Sequence, residues 1–91
     1  MRLYFLYMTG CGACHSAMPH IKRFEKKNPQ IQVVYVDLLK ANWTHPWQPE
    51  VTPTYVIEVP GRERVQFQGM LEEKDIPRFV AKAEQMMGIR R

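Results

Sequence analysis

The sequence predicts an α/β fold: a four-stranded mixed sheet in the chain order β-α-β-(short α or loop)-β-β-α, with helices on both faces. Three observations predict it. An unbroken apolar run, Leu3-Tyr4-Phe5-Leu6-Tyr7-Met8, gives way after Gly12 to apolar residues every three or four positions, the change from strand to helix period. A second apolar run, Ile31 to Val36, follows at the distance of a strand–helix–strand unit, whose two strands are parallel. Two further β-rich runs flank Pro60-Gly61 and lead into a last amphipathic pattern.

The first run is apolar on both alternating faces, as expected of a central strand covered on both sides. From Gly12 to about Asn28, Cys14, Met18, Ile21 and Phe24 or Glu25 form one stripe, while Arg23, Lys26 and Lys27 face away. Asn28-Pro29 stops this helix, and Pro19 inside it removes one backbone hydrogen bond. Ile31-Gln32-Val33-Val34-Tyr35-Val36 is the second strand, closed by Asp37. Leu38 to Glu50 is the least regular stretch: a helical turn or two fits Leu38–Asn42, and Pro46 and Pro49 prevent a long helix. Trp43, His45 and Trp47 lie here, and the tryptophans are expected to cover the second sheet face.

Val51-Thr52-Pro53-Thr54 leads into Tyr55-Val56-Ile57-Glu58-Val59, the third strand. After the Pro60-Gly61 turn, Val65 and Phe67 alternate with Arg64, Gln66 and Gln68, the pattern of a half-exposed outer strand. Ile76, Phe79, Val80, Ala83 and Met86 or Met87 mark the last helix, ended by Gly88. It starts at Glu72 if Pro77 stands in the second turn, or is capped by Asp75 if Pro77 stands in the first.

Ninety-one residues, 45% of them hydrophobic, are enough for one small domain with its own core, and no repeat or linker divides the chain. The net charge of +4 is mild. Much of it sits on Lys22-Arg23 with Lys26-Lys27 and on Arg90-Arg91, which are read as solvated, dipole-complementing residues rather than as a surface for an acidic protein partner or nucleic acid. The apolar start is too short for a signal peptide, and no run reaches membrane-spanning length, so a reducing, cytoplasmic setting is expected.

The chemistry concentrates in Thr9-Gly10-Cys11-Gly12-Ala13-Cys14-His15, which holds both cysteines, where the first strand passes into the first helix. A disulfide closing so small a loop contributes little as a crosslink, so the pair is better explained by redox chemistry. Unpaired backbone N–H groups and the helix dipole favour a thiolate at a helix start, which makes Cys11 the candidate nucleophile. Cys14, one turn on, can resolve what Cys11 has attacked. His15 is read as a solvated helix residue and Tyr7 as a packing residue.

With these residues in hand, the chain resembles the thioredoxin superfamily, in the short form typical of glutaredoxins. Four features carry the resemblance across almost the whole chain. They are Cys11-Gly12-Ala13-Cys14 after the first strand, Pro19 five residues beyond the second cysteine, Thr52-Pro53-Thr54 opening the third strand, and Gly69 before the last helix. The resemblance implies a thioredoxin-like fold and a cis bond before Pro53 that brings Thr52 and Pro53 beside the cysteines. It implies substrate contact by Gly10, Gly12, Ala13, Thr52 and Pro53, with the backbone of Thr52 pairing with an extended peptide. It also implies a thiol–disulfide oxidoreductase that reduces protein disulfides as a monomer. No cofactor beyond the redox-active disulfide is expected, and no nucleic-acid or membrane partner. Electrons would come from a thioredoxin-reductase-like flavoprotein or from glutathione. The chain departs from thioredoxins in three places. Phe5 stands where they carry a buried acid, Gly10 and Tyr7 replace two tryptophans, and Gly-Ala separates the cysteines.

Three other readings compete. Cys11-Gly12-Ala13-Cys14-His15 is also a literal c-type haem attachment motif, with six methionines to offer a second axial ligand. The pair could supply half of a metal or iron–sulfur site shared between two chains. Trp43 and Trp47 could anchor a redox-inert binding module. The dithiol reading is preferred because Pro19, Thr52-Pro53 and Gly69 agree with it.

Overall fold

The structure is a computed structural model and describes residues 1–40 and 49–88. Its elements are β1 (Arg2–Tyr7), α1 (Gly12–Lys27), β2 (Gln32–Asp37), β3 (Thr54–Glu58), β4 (Val65–Gln68), a 3-10 turn (Glu73–Asp75) and α2 (Ile76–Met86). The four strands form one mixed sheet in the order β2-β1-β3-β4. β1 runs parallel to β2 and antiparallel to β3, which is antiparallel to β4. The run read as a central strand is therefore central.

Register sorts the side chains by face. Leu3 lies between Val33 and Ile57, and Phe5 between Tyr35 and Tyr55, while Tyr4 lies between Val34 and Val56. The Leu3–Phe5 face meets Ala17, Ile21 and Phe24 of α1 and Ile76, Val80 and Ala83 of α2 in the main core. Tyr4, Leu6, Val36 and Val56 form a second buried cluster on the opposite face, with Val34 and Leu38 against it. Both described helices thus share one face. The element expected on the other falls mainly on residues 41–48, outside the described residues together with Trp43, His45 and Trp47. Leu38, Leu39 and Lys40 form a turn after β2.

Several boundaries shift by one residue. β1 ends at Tyr7 because the Met8 carbonyl closes a turn by accepting from the Cys11 amide, 3.2 Å. In α1 the buried stripe is Cys14, Ala17, Ile21 and Phe24. Met18 is half-buried at its edge, and Glu25 instead accepts from the Tyr35 hydroxyl at 2.7 Å. Asp75 holds the position before α2 with Pro77 in the first turn, but its side chain makes no capping bond, because its backbone is already helical after the 3-10 turn. Met87 is buried and Met86 exposed at the helix end.

The basic residues of α1 are partly neutralised within the chain. Glu73 accepts from Arg23 at 2.7 Å and from Lys27 at 2.5 Å, and the Lys22 ammonium lies 5.1 Å from the Tyr35 ring centre. Arg90 and Arg91 lie outside the described residues.

Candidate functional site: the Cys11–Cys14 pair

The site stands at the C-terminal end of β1, where open α/β sheets gather their functional residues. Met8-Thr9-Gly10-Cys11 makes a tight turn whose third residue, Gly10, has φ +88°. A Cβ at Gly10 would have room, so the left-handed backbone, not crowding, is what favours glycine. The turn delivers Cys11 to the N-cap of α1 in an extended conformation, and the Cys11 carbonyl accepts the first helical bond from the His15 amide at 3.0 Å.

An N-cap side chain accepts from the amides of the first turn. Here the acceptor is sulfur: the Cys14 amide donates to Cys11 Sγ at 3.1 Å. The first turn of α1 contains no acidic residue, whereas its last holds Lys26 and Lys27. The positive end of the helix therefore faces Cys11 without a carboxylate of its own to offset it. Cys11 and Cys14 lie at disulfide distance, with Cα atoms 5.2 Å apart. Their exposure differs. Cys11 is half-buried, whereas Cys14 is only 2% exposed.

The second wall comes from the segment before β3. The Thr52-Pro53 bond is cis, as the resemblance implied. Thr52 presents two atoms to Cys11: its hydroxyl donates to Sγ at 3.3 Å, and its carbonyl oxygen lies 3.5 Å from the same sulfur. Residues 41 positions apart in the chain thus meet at one atom. Fully buried Thr54 holds this segment by donating its hydroxyl to the Val51 carbonyl at 2.7 Å. The Gly69 amide donates to the Pro53 carbonyl at 2.9 Å, which ties the end of β4 to the same corner.

Of the residues singled out from sequence, Cys11, Cys14 and Thr52 converge, with buried Pro53 next in the chain. Gly10, Gly12 and Ala13 are exposed around them. Phe5 is fully buried beneath, its ring stacked on Tyr7 at 5.8 Å and edge-on to Tyr55 at 5.3 Å. It brings no titratable group to Cys14. His15 is exposed on the helix start.

Other positioning residues carried weak sequence signals or none. Asp37 accepts from the Thr9 hydroxyl at 3.1 Å and from the Leu39 amide at 3.0 Å, joining the turn before Cys11 to the end of β2. Opposition of Tyr7 and Asp37 in the parallel register makes this possible. A cavity of about 230 Å³ beside the cystine is lined by Tyr7, Met8 and Met18 among others. A larger cavity, about 480 Å³, lies instead between α1 and the 3-10 turn and includes neither cysteine. Among the described residues, no group of three or more His, Cys, Asp or Glu side chains is placed to hold a metal ion, and no helix is long and apolar enough to cross a membrane.

No protein-family model matches the chain, and no curated protein does. Solved structures do. The chain superposes on chloroplastic thioredoxin z with a TM-score of 0.78 and 19% identity, over 92% of this chain and 78% of that one. Thioredoxin of Fasciola hepatica gives 0.78 and 19%, over 90% and 79%. The germline-specific thioredoxin Deadhead of Drosophila melanogaster gives 0.76 and 24%, over 89% and 78%. The fold is therefore thioredoxin-like, with a Cys-x-x-Cys pair at disulfide distance.

Proposed function

We propose that the protein is a thiol–disulfide oxidoreductase that reduces protein disulfides through the Cys11/Cys14 couple. The observation that carries this reading is the asymmetry of the pair: Cys11 stands accessible at a helix N-cap beside Thr52, and Cys14 is buried one turn on. An exposed, electrostatically favoured sulfur attacks, and a sheltered sulfur within reach resolves.

In the reduced protein the Cys11 thiolate attacks one sulfur of the substrate disulfide. The substrate S–S bond breaks, its other sulfur leaves as a thiolate and takes a proton from water, and a mixed disulfide remains on Cys11. Cys14, as thiolate, then attacks Cys11 Sγ. The mixed disulfide breaks, the second substrate thiol departs, and the Cys11–Cys14 disulfide forms. Two electrons have passed from protein dithiol to substrate, and an upstream flavin-dependent reductase or thiol donor must return them. Thr52 offers its backbone to an extended substrate segment, with Pro53, Gly10, Gly12 and Ala13 bordering the reacting sulfur. The couple itself is the only redox group this reading needs. A single domain acting as a monomer in a reducing, cytoplasmic setting suits it.

Insulin reduction by a dithiol donor tests the reading. Wild type accelerates it, Cys11→Ser abolishes the acceleration, and Cys14→Ser accumulates mixed disulfides on Cys11, seen by mass spectrometry without reductant. Substantial turnover by Cys11→Ser would overturn the assignment.

A further inference from the structure

β4 is an edge of the sheet and, among the described residues, pairs with β3 alone. Its Val65-Gln66-Phe67-Gln68 run carries no charge and no proline, and its register from Val65 opposite Ile57 to Gln68 opposite Thr54 is unbroken. Such an edge offers a row of backbone N–H and C=O groups to another extended chain. Phe67 remains 40% exposed although its ring lies 5.9 Å from that of half-buried Phe79 on α2. Residues three and seven positions on share a helix side, so Lys82 and Met86 continue the stripe that Phe79 turns to β4. Met86 is 67% exposed. Arg78 stands one turn before Lys82, and Asp75 marks the N-terminal end of the stripe. Arg23, Lys27, Arg64 and Lys74 all form ion pairs, whereas among the described residues Arg78 and Lys82 form none. Arg62 donates to the Met87 carbonyl at 3.0 Å, which fastens the turn before β4 to the end of α2.

We infer that the β4 edge and the adjoining Phe79–Lys82–Met86 side of α2 form a docking site for an extended, acidic segment of a partner protein, added to the sheet as a further strand. The inference goes beyond the dithiol chemistry and uses neither cysteine. The segment's backbone pairs with the open edge, and its alternate side chains fall on one face. On the α2 side, apolar ones cover Phe67 and Met86, and carboxylates beside them meet Arg78 and Lys82. A basic segment would set like charges against those two cations. A second copy of this chain would do the same, bringing its own Arg78 and Lys82 to the contact. Single-stranded nucleic acid has no backbone donors for the edge carbonyls and needs flat stacking surfaces. The Phe67 and Phe79 rings are tilted by 57° and give none.

The test is an amide chemical-shift titration of the full chain with three probes. The first is a peptide whose apolar face carries valine and leucine between two glutamates, with threonine at the alternate positions. The second has lysine for glutamate, and the third is an oligothymidylate of similar length. The glutamate peptide should shift Gln66, Phe67, Gln68, Phe79 and Lys82 by about 1 mM, where even weak strand addition registers. It should bind more weakly as salt rises. Arg78→Glu combined with Lys82→Glu should weaken it about tenfold or more, while insulin reduction stays at the wild-type rate. Both side chains are exposed, and an unchanged amide spectrum away from α2 verifies that the variant folds. Absence of shifts on β4, equal binding of the lysine peptide, or binding of the oligothymidylate in preference would overturn the inference. Loss of insulin reduction in the wild type would bear on the oxidoreductase reading and leave this titration as it stands.

Discussion

The Thr52 hydroxyl reaches across 41 residues of chain to donate a hydrogen bond to Cys11 Sγ at 3.3 Å. This bond strengthens as the sulfur gains charge, so it favours the thiolate over the thiol. Thr52→Val keeps the shape and removes the donor. The pH midpoint of Cys11 alkylation by iodoacetamide should rise by about one unit, the equivalent of one hydrogen bond of about 1.5 kcal/mol to a charged group. Thr52→Ser should restore it. An unchanged midpoint in Thr52→Val would show that the hydroxyl contributes nothing to the thiolate.

Asp37 ties the turn before Cys11 to the end of β2 through the Thr9 hydroxyl and the Leu39 amide. Both bonds are exposed, so their loss should be modest. Asp37→Ala should cost about 1–2 kcal/mol in urea unfolding, and Thr9→Val about half of that. Hydrogen exchange of the Gly10 and Cys11 amides should quicken in both. A stability loss without faster exchange at those amides would place the effect elsewhere.

Tyr55 is fully buried in the core, and its hydroxyl oxygen accepts from the buried amide of Leu71 at 3.1 Å. Burial pushes its phenol up from the usual range, with the Leu71 bond opposing more weakly. Tyr55→Phe removes the acceptor and leaves that amide unpaired. The expected cost is about 1–3 kcal/mol in denaturant midpoint at constant slope, with alkylation of Cys11 unaffected. A neutral substitution would mean that the Leu71 amide finds another acceptor.

Glu73 bridges the 3-10 turn to α1, and its bonds with Lys27 and Arg23 hold its carboxyl below the ordinary value of 4.5. A carboxyl depressed on folding stabilises the folded state above its unfolded pKa and loses that contribution as pH falls through the folded pKa. Wild type should therefore lose stability on acidification from about pH 4.5 downward, and Glu73→Gln should show a flatter profile there. The difference should shrink in high salt, because Arg23 and Lys27 are exposed. Parallel acid profiles for the two proteins would refute the linkage. The amide of the same residue donates to His20 Nδ1 at 3.0 Å, so Glu73 meets α1 through backbone as well as side chain.

Much of the architecture was legible because it depends on short periods. Leu3 to Met8 read as a central strand since both of its faces are apolar, and both prove buried. The choice between Phe24 and Glu25 was not legible. One residue of helical rotation separates them, and only the position of Tyr35 on β2 decided that Glu25 would turn to a hydroxyl and Phe24 to the core. The start of α2 was ambiguous for a related reason: the 3-10 turn before it replaces a capped end, so Asp75 precedes the helix without capping it.

In the candidate site, Cys11, Cys14 and the Thr52-Pro53 corner were legible as motifs. The Asp37–Thr9 tie and the buried Thr54 hydroxyl were not, since single threonines and aspartates at strand ends are common and their partners are set by register. Of the helical turn or two expected at Leu38–Asn42, Leu38, Leu39 and Lys40 form a turn and the last two residues lie outside the described residues. So do Trp43 and Trp47, expected to cover the second sheet face.

The sequence alone determined the order of elements and the placement of a Cys-x-x-Cys pair at the start of a helix. Those follow from local hydrophobic period and from backbone groups left unpaired at a helix end. Only tertiary structure decided what surrounds the reactive sulfur. The cis bond before Pro53, the Thr52 hydroxyl at 3.3 Å and the apolar walls of Tyr7, Met8 and Met18 come from separate segments. Sheet pairing and the docking of α1 bring those segments together, and contacts between residues 41 positions apart have no signature in local spacing.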